Sequence, residues 1–308
     1  MPLHPLAKRY LDAAPKSITE APVSKLRNLE KIGLPPESDR PAVGSIEDRM
    51  ISGPGGEIPI RIYTPEGDGP FPLLVFFHGG GFVRGSIETH DVSCRNLVRA
   101  SGWKVISVGY RLAPEHPFPA GLEDCYAGLQ WTVQHVDELQ GDAEQIAVGG
   151  DSAGGNLAAA VAIMARDRGG PSIAKQVLMY PVTDYHRHGI QSPYPSYQEK
   201  GTGYGLTSKG MGLYWQYYLK QQEEGDNPYA SPMKSANLMG LPPAVVVTAE
   251  YDPLCDEGER YAERLREAGV AVVSRRFNGM IHGFLNWLED MEEKTDAYKL
   301  IGSFLQDR

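Results

Sequence analysis

Cysteine is scarce in this 308-residue chain: Cys94, Cys125 and Cys255 are the whole complement, an odd number without metal-ligand spacing. That count argues against a disulfide framework and against a structural zinc site, so the thiols read as reduced. The fold must then be held by an apolar core, which a chain of this length can supply. Long apolar runs are missing too. No stretch approaches the ~20 residues needed to span a bilayer. The opening "MPLHPLAKRYLDAAPK" also lacks the apolar segment of a secretory signal. Positive charge is concentrated nowhere: 30 Lys and Arg stand against 39 Asp and Glu, a formal charge of -9. An acidic chain without a basic run is a poor partner for nucleic acid. Together these deficits predict a soluble, cytoplasmic protein with no stable membrane insertion.

What the chain does have is a succession of short apolar runs alternating with helix-period segments. A strand around 45 to 52 and "IPIRIYT" (58 to 64) are joined by "GPGGE" and read as an antiparallel hairpin at a sheet edge. "PLLVFFH" (72 to 78), "WKVISVGY" (103 to 110), "QIAVGG" (145 to 150), "KQVLMYP" (175 to 181), "PAVVVTAE" (243 to 250) and "AVVSRRF" (271 to 277) follow. Segments long enough for crossover helices lie between most of them, at 88 to 101, 120 to 139, 153 to 168 and 256 to 268. Nearly continuous Val, Ile and Leu marks strands buried on both faces, which predicts an α/β architecture with a mostly parallel sheet of about eight strands covered by helices. Two segments fall outside the alternation. Residues 1 to 40 carry helical patterning before any strand, and 183 to 220 form a long insertion between strand candidates. Tyr185, Tyr194, Tyr197, Tyr204, Tyr214, Trp215, Tyr217 and Tyr218 crowd into that insertion. Rings with an apolar face and a polar edge suit a wet, substrate-facing wall, so the insertion is expected to be a lid, with packing of "KGMGLYWQYYL" on the sheet as the alternative. The catalytic core is then 41 to 182 with 221 to 308.

Within "QIAVGGDSAGGNLAAA" (145 to 160), Gly150-Asp151-Ser152-Ala153-Gly154 stands between a strand and an Ala-rich helix. This is the nucleophile-elbow pattern, in which a sharp strand-to-helix turn lifts a serine hydroxyl clear of the sheet. A serine at neutral pH needs a base and a group to orient that base. In folds with this elbow they follow in the order acid, then His, on loops after strands. Asp252 directly follows "AVVVTAEY", and His282 follows "AVVSRRF" and a short loop. Asp184, Glu250, Asp256 and Glu257 compete for the acid role. Asp184 also follows a strand but occupies the wrong strand slot, so Asp252 is preferred. Among the other histidines His4 is terminal, and His90, His116 and His135 lie in or beside helical segments. His186 and His188 in "YHRH" have a poor ligand-pair spacing and no acidic or thiol partner, and are expected to be surface residues.

His78-Gly79-Gly80-Gly81 follows the most apolar strand. Consecutive glycines free their N–H groups to approach a substrate carbonyl, so Gly80 and Gly81 are expected to complete an oxyanion site with Ala153. His78 is expected to hold this loop and not to act as a base. The spacing of Gly79, Gly80, Gly81 and Gly85 does not fit a dinucleotide fingerprint, and "GGDSAGGN" lacks the Lys-Ser/Thr ending of a Walker loop.

With these residues in place, the sequence resembles the hormone-sensitive-lipase family (bacterial family IV) of α/β-hydrolase esterases over about residues 40 to 308. The resemblance rests on "HGGGFVRGS" (78 to 86), "YRLAPEHPFPAGLED" (110 to 124), "GDSAGGNLA" (150 to 158), "DPLCDEG" (252 to 258) and "GMIHGF" (279 to 284) in this order. It implies an α/β-hydrolase fold and a cofactor- and metal-free carboxylesterase acting on short- to medium-chain acyl esters. In that reading Ser152 is the nucleophile, His282 the base, Asp252 the acid, and Gly80, Gly81 and Ala153 the oxyanion donors. It further implies a cap made of residues 1 to 40 and 183 to 220, and a homodimer formed through the edge strand "AVVSRRF". Asp151, Tyr185, Tyr204, Leu206, Tyr214, Ile281 and Phe284 are expected around the substrate pocket. The family position usually held by arginine is Cys255 here, which leaves the triad intact and removes the salt bridge such an arginine would make. Two other outcomes exist among similar proteins: amide hydrolysis, as in arylacetamide deacetylases, and ligand binding without catalysis, as in gibberellin receptors, which lack the histidine that "GMIHGF" retains.

Overall fold

The computed structural model describes residues 2–13, 22–32, 34–186 and 192–307. Eight strands form one sheet: β1 (Ser45–Gly53), β2 (Gly56–Thr64), β3 (Phe71–Phe77), β4 (Lys104–Val108), β5 (Gly141–Asp151), β6 (Lys175–Met179), β7 (Ala244–Tyr251) and β8 (Val272–Ile281). Their order across the sheet is β1-β2-β4-β3-β5-β6-β7-β8. β1 pairs antiparallel with β2 and β2 with β4, while every other pairing is parallel. The expected edge hairpin and parallel core are both present.

In β3, "LLVFF" is buried without interruption because both faces of the strand are covered, and alternation decides which side chain meets which layer. Leu73, Val75 and Phe77 pack with Leu122 of α4 (Ala120–Gln134), Leu157 and Val161 of α5 (Ala153–Asp167) and Leu265 of a helix at Cys255–Glu267. Leu74 and Phe76 face the other way, toward Leu97 of α3 (Asp91–Ser101) and Ile301 of a helix at Glu292–Gln306. Each fully buried side chain of this size contributes about 1.5–3 kcal/mol by leaving water.

The two outlying segments pack over the carboxyl ends of the strands. The amino-terminal part supplies α1 (Pro5–Ala13) and α2 (Val23–Ile32). Tyr10 of α1 stacks on Trp287 with ring centroids 4.2 Å apart, and its hydroxyl donates to Glu289. Arg27 of α2 donates to the carbonyls of Val83 and Ala113 and pairs with Glu115. The later segment supplies α6 (Ser196–Glu199) and α7 (Ser208–Tyr218), which in chain order precede the helices at Cys255–Glu267 and Glu292–Gln306, hereafter α8 and α9. Thr207 caps α7 by accepting from Gly210 N–H at 2.9 Å.

The aromatic crowd in 183 to 220 is mainly core. Tyr218 stacks on Phe82 at 3.8 Å, Tyr185 meets Trp215 edge-on at 5.3 Å, and Tyr185, Tyr197, Tyr214, Trp215 and Tyr218 are all buried. The expectation of a wet aromatic wall is corrected for Tyr185, Tyr197, Trp215 and Tyr218, whose rings hold the insertion onto the domain. His186 is likewise no surface residue, being almost enclosed with Nε2 3.5 Å from the buried Glu257 carboxylate. His188 lies outside the described residues.

The β5–α5 corner leaves no room for a side chain at its glycines. A Cβ on Gly154 would lie 1.9 Å from the Phe77 carbonyl oxygen, and one on Gly150 would lie 2.5 Å from the same atom. Both glycines are there because the end of β3 occupies the space a side chain needs. Gly154→Ala is expected to cost about 1–3 kcal/mol, the usual range for forced overpacking. The readout is a lower urea midpoint at unchanged slope, and an unaltered midpoint would mean that the corner has slack.

Candidate active site

Ser152 sits between β5 and α5 at φ 55° and ψ -118°, a conformation that is strained for a residue with a Cβ. Its backbone is held on both sides. The N–H donates to Met179 O at 2.8 Å, and the carbonyl accepts from Asn156 N at 3.1 Å and Val182 N at 3.1 Å. Because the following residues are already helical, the Ser152 side chain stands at the amino end of α5, where first-turn N–H groups have no intrahelical acceptor and the dipole favours negative charge.

Strand β7 ends one residue before Asp252, and β8 ends one residue before His282. His282 Nδ1 lies 2.7 Å from Asp252 Oδ2, and His282 Nε2 lies 2.9 Å from Ser152 Oγ. A carboxylate only accepts, so the Nδ1 proton points to Asp252 and Nε2 is left to accept from the serine hydroxyl. The other oxygen of the completely buried Asp252 accepts from Leu254 N at 2.9 Å, which fixes the carboxylate plane. The Tyr180 ring meets the imidazole edge-on at 4.9 Å.

The competing acids all have other partners. Glu250 accepts from Gly279 N at 2.7 Å, near the end of β8 that leads to His282. Asp184 pairs with Lys234 at 3.0 Å and accepts from Tyr194 OH at 3.1 Å. Asp256 takes Ser196 N at 2.8 Å, and Glu257 takes Thr183 N at 2.7 Å and Tyr197 OH at 2.9 Å. These bonds tie the 183 to 220 segment to the turn that carries Asp252. Burial raises the Glu257 carboxyl above its ordinary value, more than those donors and His186 lower it.

Gly80 and Gly81 line the same cavity as Ser152 and His282, in left-handed backbone at φ 124° and 60°. A Cβ on Gly81 would collide with the Tyr214 ring. The loop is braced from behind: His78 stacks on Tyr110 at 4.3 Å, Tyr110 OH donates to His78 O at 2.7 Å, and His78 Nδ1 lies 2.8 Å from Gly79 O. Ala153, buried, opens α5 directly after the serine.

The cavity over Ser152 encloses about 580 Å³. Of the expected pocket residues, Leu206, Tyr214 and Asp151 reach it. Four do not. Tyr185 packs on Trp215 and against Gly225, and Tyr204 on Tyr251 at 4.9 Å. Ile281 is the last, buried residue of β8, and Phe284 is completely buried against Phe277 and Tyr180. Sequence reasoning missed the walls supplied by Tyr10, Leu34, Arg84, Met211 and Trp287, which converge from four segments. It also missed the network around Asp151. That carboxylate accepts from Gly79 N at 2.8 Å and from Asn286 Nδ2 at 3.1 Å, and lies 3.2 Å from His90 Nε2. Burial alone would raise the Asp151 carboxyl; His90, Asn286 and Gly79 N–H outweigh it and hold it below its ordinary value. The proximity of Asn286 to the "GMIHGF" motif was the available signal.

A family model described as alpha/beta hydrolase fold matches residues 74–286. The chain belongs to the alpha/beta hydrolase fold family. Among its relatives in that family, the carboxylic ester hydrolase LipN of Mycobacterium tuberculosis is 45% identical over 247 residues, covering 78% of this chain and 64% of LipN. Esterase LipI of the same organism is 37% identical over 304 residues, covering 96% of this chain and 92% of LipI. The crystal structure of a hyperthermophilic esterase from the archaeon Pyrobaculum calidifontis superimposes with a TM-score of 0.89 at 42% identity, covering 99% of this chain and 98% of that one.

Within this hydrolase-fold site, Asp151 links the strand before the serine, the glycine loop and the segment after His282. Asp151→Asn keeps the volume but removes the charge and leaves one acceptor oxygen where Gly79 N–H and Asn286 Nδ2 each need one. Labelling of Ser152 by a fluorophosphonate is then expected to slow about tenfold to a hundredfold, less than outright loss of an oxyanion donor, in a protein with native near-ultraviolet circular dichroism. Equal labelling rates would detach Asp151 from the loop.

Proposed function

We propose that this chain is a serine carboxylesterase of the hormone-sensitive-lipase family, hydrolysing short- to medium-chain acyl esters through Ser152, His282 and Asp252. The observation that carries the reading is the unbroken relay of 2.9 Å from Ser152 Oγ to His282 Nε2 and 2.7 Å from Nδ1 to Asp252, opening on a cavity walled by Gly80 and Gly81. The esterase names of the relatives support it. In the reaction, Ser152 Oγ bonds to the ester carbonyl carbon while its proton passes to His282 Nε2, and Asp252 stabilises the imidazolium. The oxyanion is received by the N–H groups of Gly80, Gly81 and Ala153. His282 returns the proton to the departing alkoxide, which leaves as the alcohol, and then activates water to release the acid from the acyl-serine.

The amino-terminal helices and the 183 to 220 segment act as the cap. Among the described residues no helix is long and apolar enough to cross a membrane. We assign the enzyme to the cytoplasm on its acidic charge and its three unpaired, buried cysteines. A homodimer through β8 is part of the proposal, since that strand ends the sheet and Val273 to Arg276 are exposed along it.

Ser152→Ala is expected to abolish turnover of p-nitrophenyl butyrate in a protein that stays folded; residual turnover in a clean preparation would remove Ser152 from the mechanism. A panel of p-nitrophenyl esters from acetate to palmitate, with matched anilides, sets the acyl limit and separates ester from amide hydrolysis. Light scattering that gives a monomer at micromolar concentration would end the dimer proposal.

A further inference from the structure

A second cavity, of about 600 Å³, lies on the far side of the glycine loop from Ser152. That is the size of a small-molecule site. Pro59 and Ile60 of β2 and Ile87, Tyr110 and Leu112 give it apolar walls, and His78 and Gly85 close it against the loop. Charged side chains occur at its rim, but all are engaged. Arg61 pairs with Asp48 at 2.7 Å and Glu88 at 2.8 Å, and Arg49 with Glu47 and Glu138, both at 2.6 Å. A charged ligand would have to break these pairs, whereas a neutral one leaves them alone.

His78 supplies the polar feature inside. Its residue is 1% exposed, and its Nδ1 faces a carbonyl, Gly79 O, which can only accept; the proton is therefore on Nδ1 and Nε2 is a bare acceptor. Nε2 has no hydrogen-bond partner among the described residues. Burial, with His90 nearby, pushes this imidazole down to about 3, so that Nε2 stays unprotonated across the neutral range. A ligand hydroxyl in the cavity would give Nε2 the donor that the protein does not supply.

From this geometry we infer a binding site for an uncharged, ring-sized molecule with a single hydroxyl, a phenol, whose O–H donates to His78 Nε2 while its ring lies between Ile60, Tyr110 and Leu112. The site is separate from the cavity over Ser152 and touches the glycine loop from behind through His78 and Gly85. It stands whether or not the chain hydrolyses esters.

Crystals soaked with 4-bromophenol are expected to show a bromine anomalous peak in this cavity, with the phenol oxygen within about 3.2 Å of His78 Nε2. 4-Bromoanisole, the same ring without a donor, is expected to give none. In solution, Leu112→Trp fills the cavity and is expected to weaken 4-bromophenol binding by calorimetry at least about tenfold, at an unchanged unfolding midpoint. Bromine found only over Ser152, bromoanisole seated as well as bromophenol, or no bromine at all would overturn the inference. So would an affinity that a folded Leu112→Trp leaves intact, and should that variant fail to fold, the paired soaks decide alone.

Discussion

The left-handed backbone at Ser152 is the constraint on which the site depends. A serine there is about 1–3 kcal/mol above its relaxed conformation, and it persists because three neighbours leave no alternative. Met179 O at the end of β6 takes its N–H, the first turn of α5 takes its carbonyl, and the carbonyl end of β3 presses on Gly150 and Gly154. The sheet order places β3, β5, β6, β7 and β8 side by side, so the loops leaving their carboxyl ends converge on one point. Glycine loop, serine, acid and histidine span more than 200 positions of sequence, yet serine, acid and histidine each directly follow a strand end and the glycines follow β3 within four residues.

Around that point, acidic side chains are sorted by their donors. Asp252 faces an imidazole and one N–H, whereas Glu257, Asp256 and Asp184 receive N–H and O–H groups from the 183 to 220 segment and Glu250 receives one from Gly279 near the end of β8. The stretch from Asp252 to Glu257 therefore holds both the imidazole of His282 and the 183 to 220 segment. Cys255 in the same turn shows a related division. Its Sγ lies 3.4 Å from Glu259 Oε1, and the cation for Glu259 comes from Arg276 on β8, at 2.6 and 2.7 Å. The absence of an arginine at 255 thus leaves no orphaned carboxylate, because the neighbouring strand supplies one.

The sequence was most legible where one local rule fixes the outcome. Continuous apolar runs such as "PLLVFF" announce strands buried on both sides, and the glycines flanking Ser152 announce a corner with no room for a Cβ. The order serine, acid, histidine gave the relay because strand ends are visible in sequence. The pocket wall was not legible in this way. Tyr185, Trp215 and Tyr218 have the composition of a substrate wall but are spent on core packing, whereas Tyr10, Leu34 and Trp287 come to the cavity from distant segments with no shared pattern. His90 escaped notice for a related reason: its use lies in reaching Asp151, and nothing local in a helix start records that approach, whereas Asn286 could be suspected only from its place just after "GMIHGF".

The amino-terminal wall of the cavity shows how such distant pieces are kept in register. Asp91, 1% exposed, accepts from Tyr63 OH at 2.8 Å and meets Arg95, Arg40 and Arg61 at 2.6, 3.0 and 3.1 Å. Burial would raise its carboxyl, but the tyrosine and arginine donors prevail and hold it below its ordinary value. Arg40 also pairs with Glu88 at 2.6 Å, and Arg95 with Glu37 at 2.5 Å, so the segment carrying Leu34 to Pro36 is tied to α3 through the enclosed Asp91, Arg40 and Arg95, with the more exposed Glu37 and Glu88 outside them. Replaced as a whole by apolar packing, such a cluster costs little, but removing one member strands a buried charge at about 3–5 kcal/mol. It therefore acts less as a source of stability than as a lock, allowing the segment over the cavity one docking position and penalising every other.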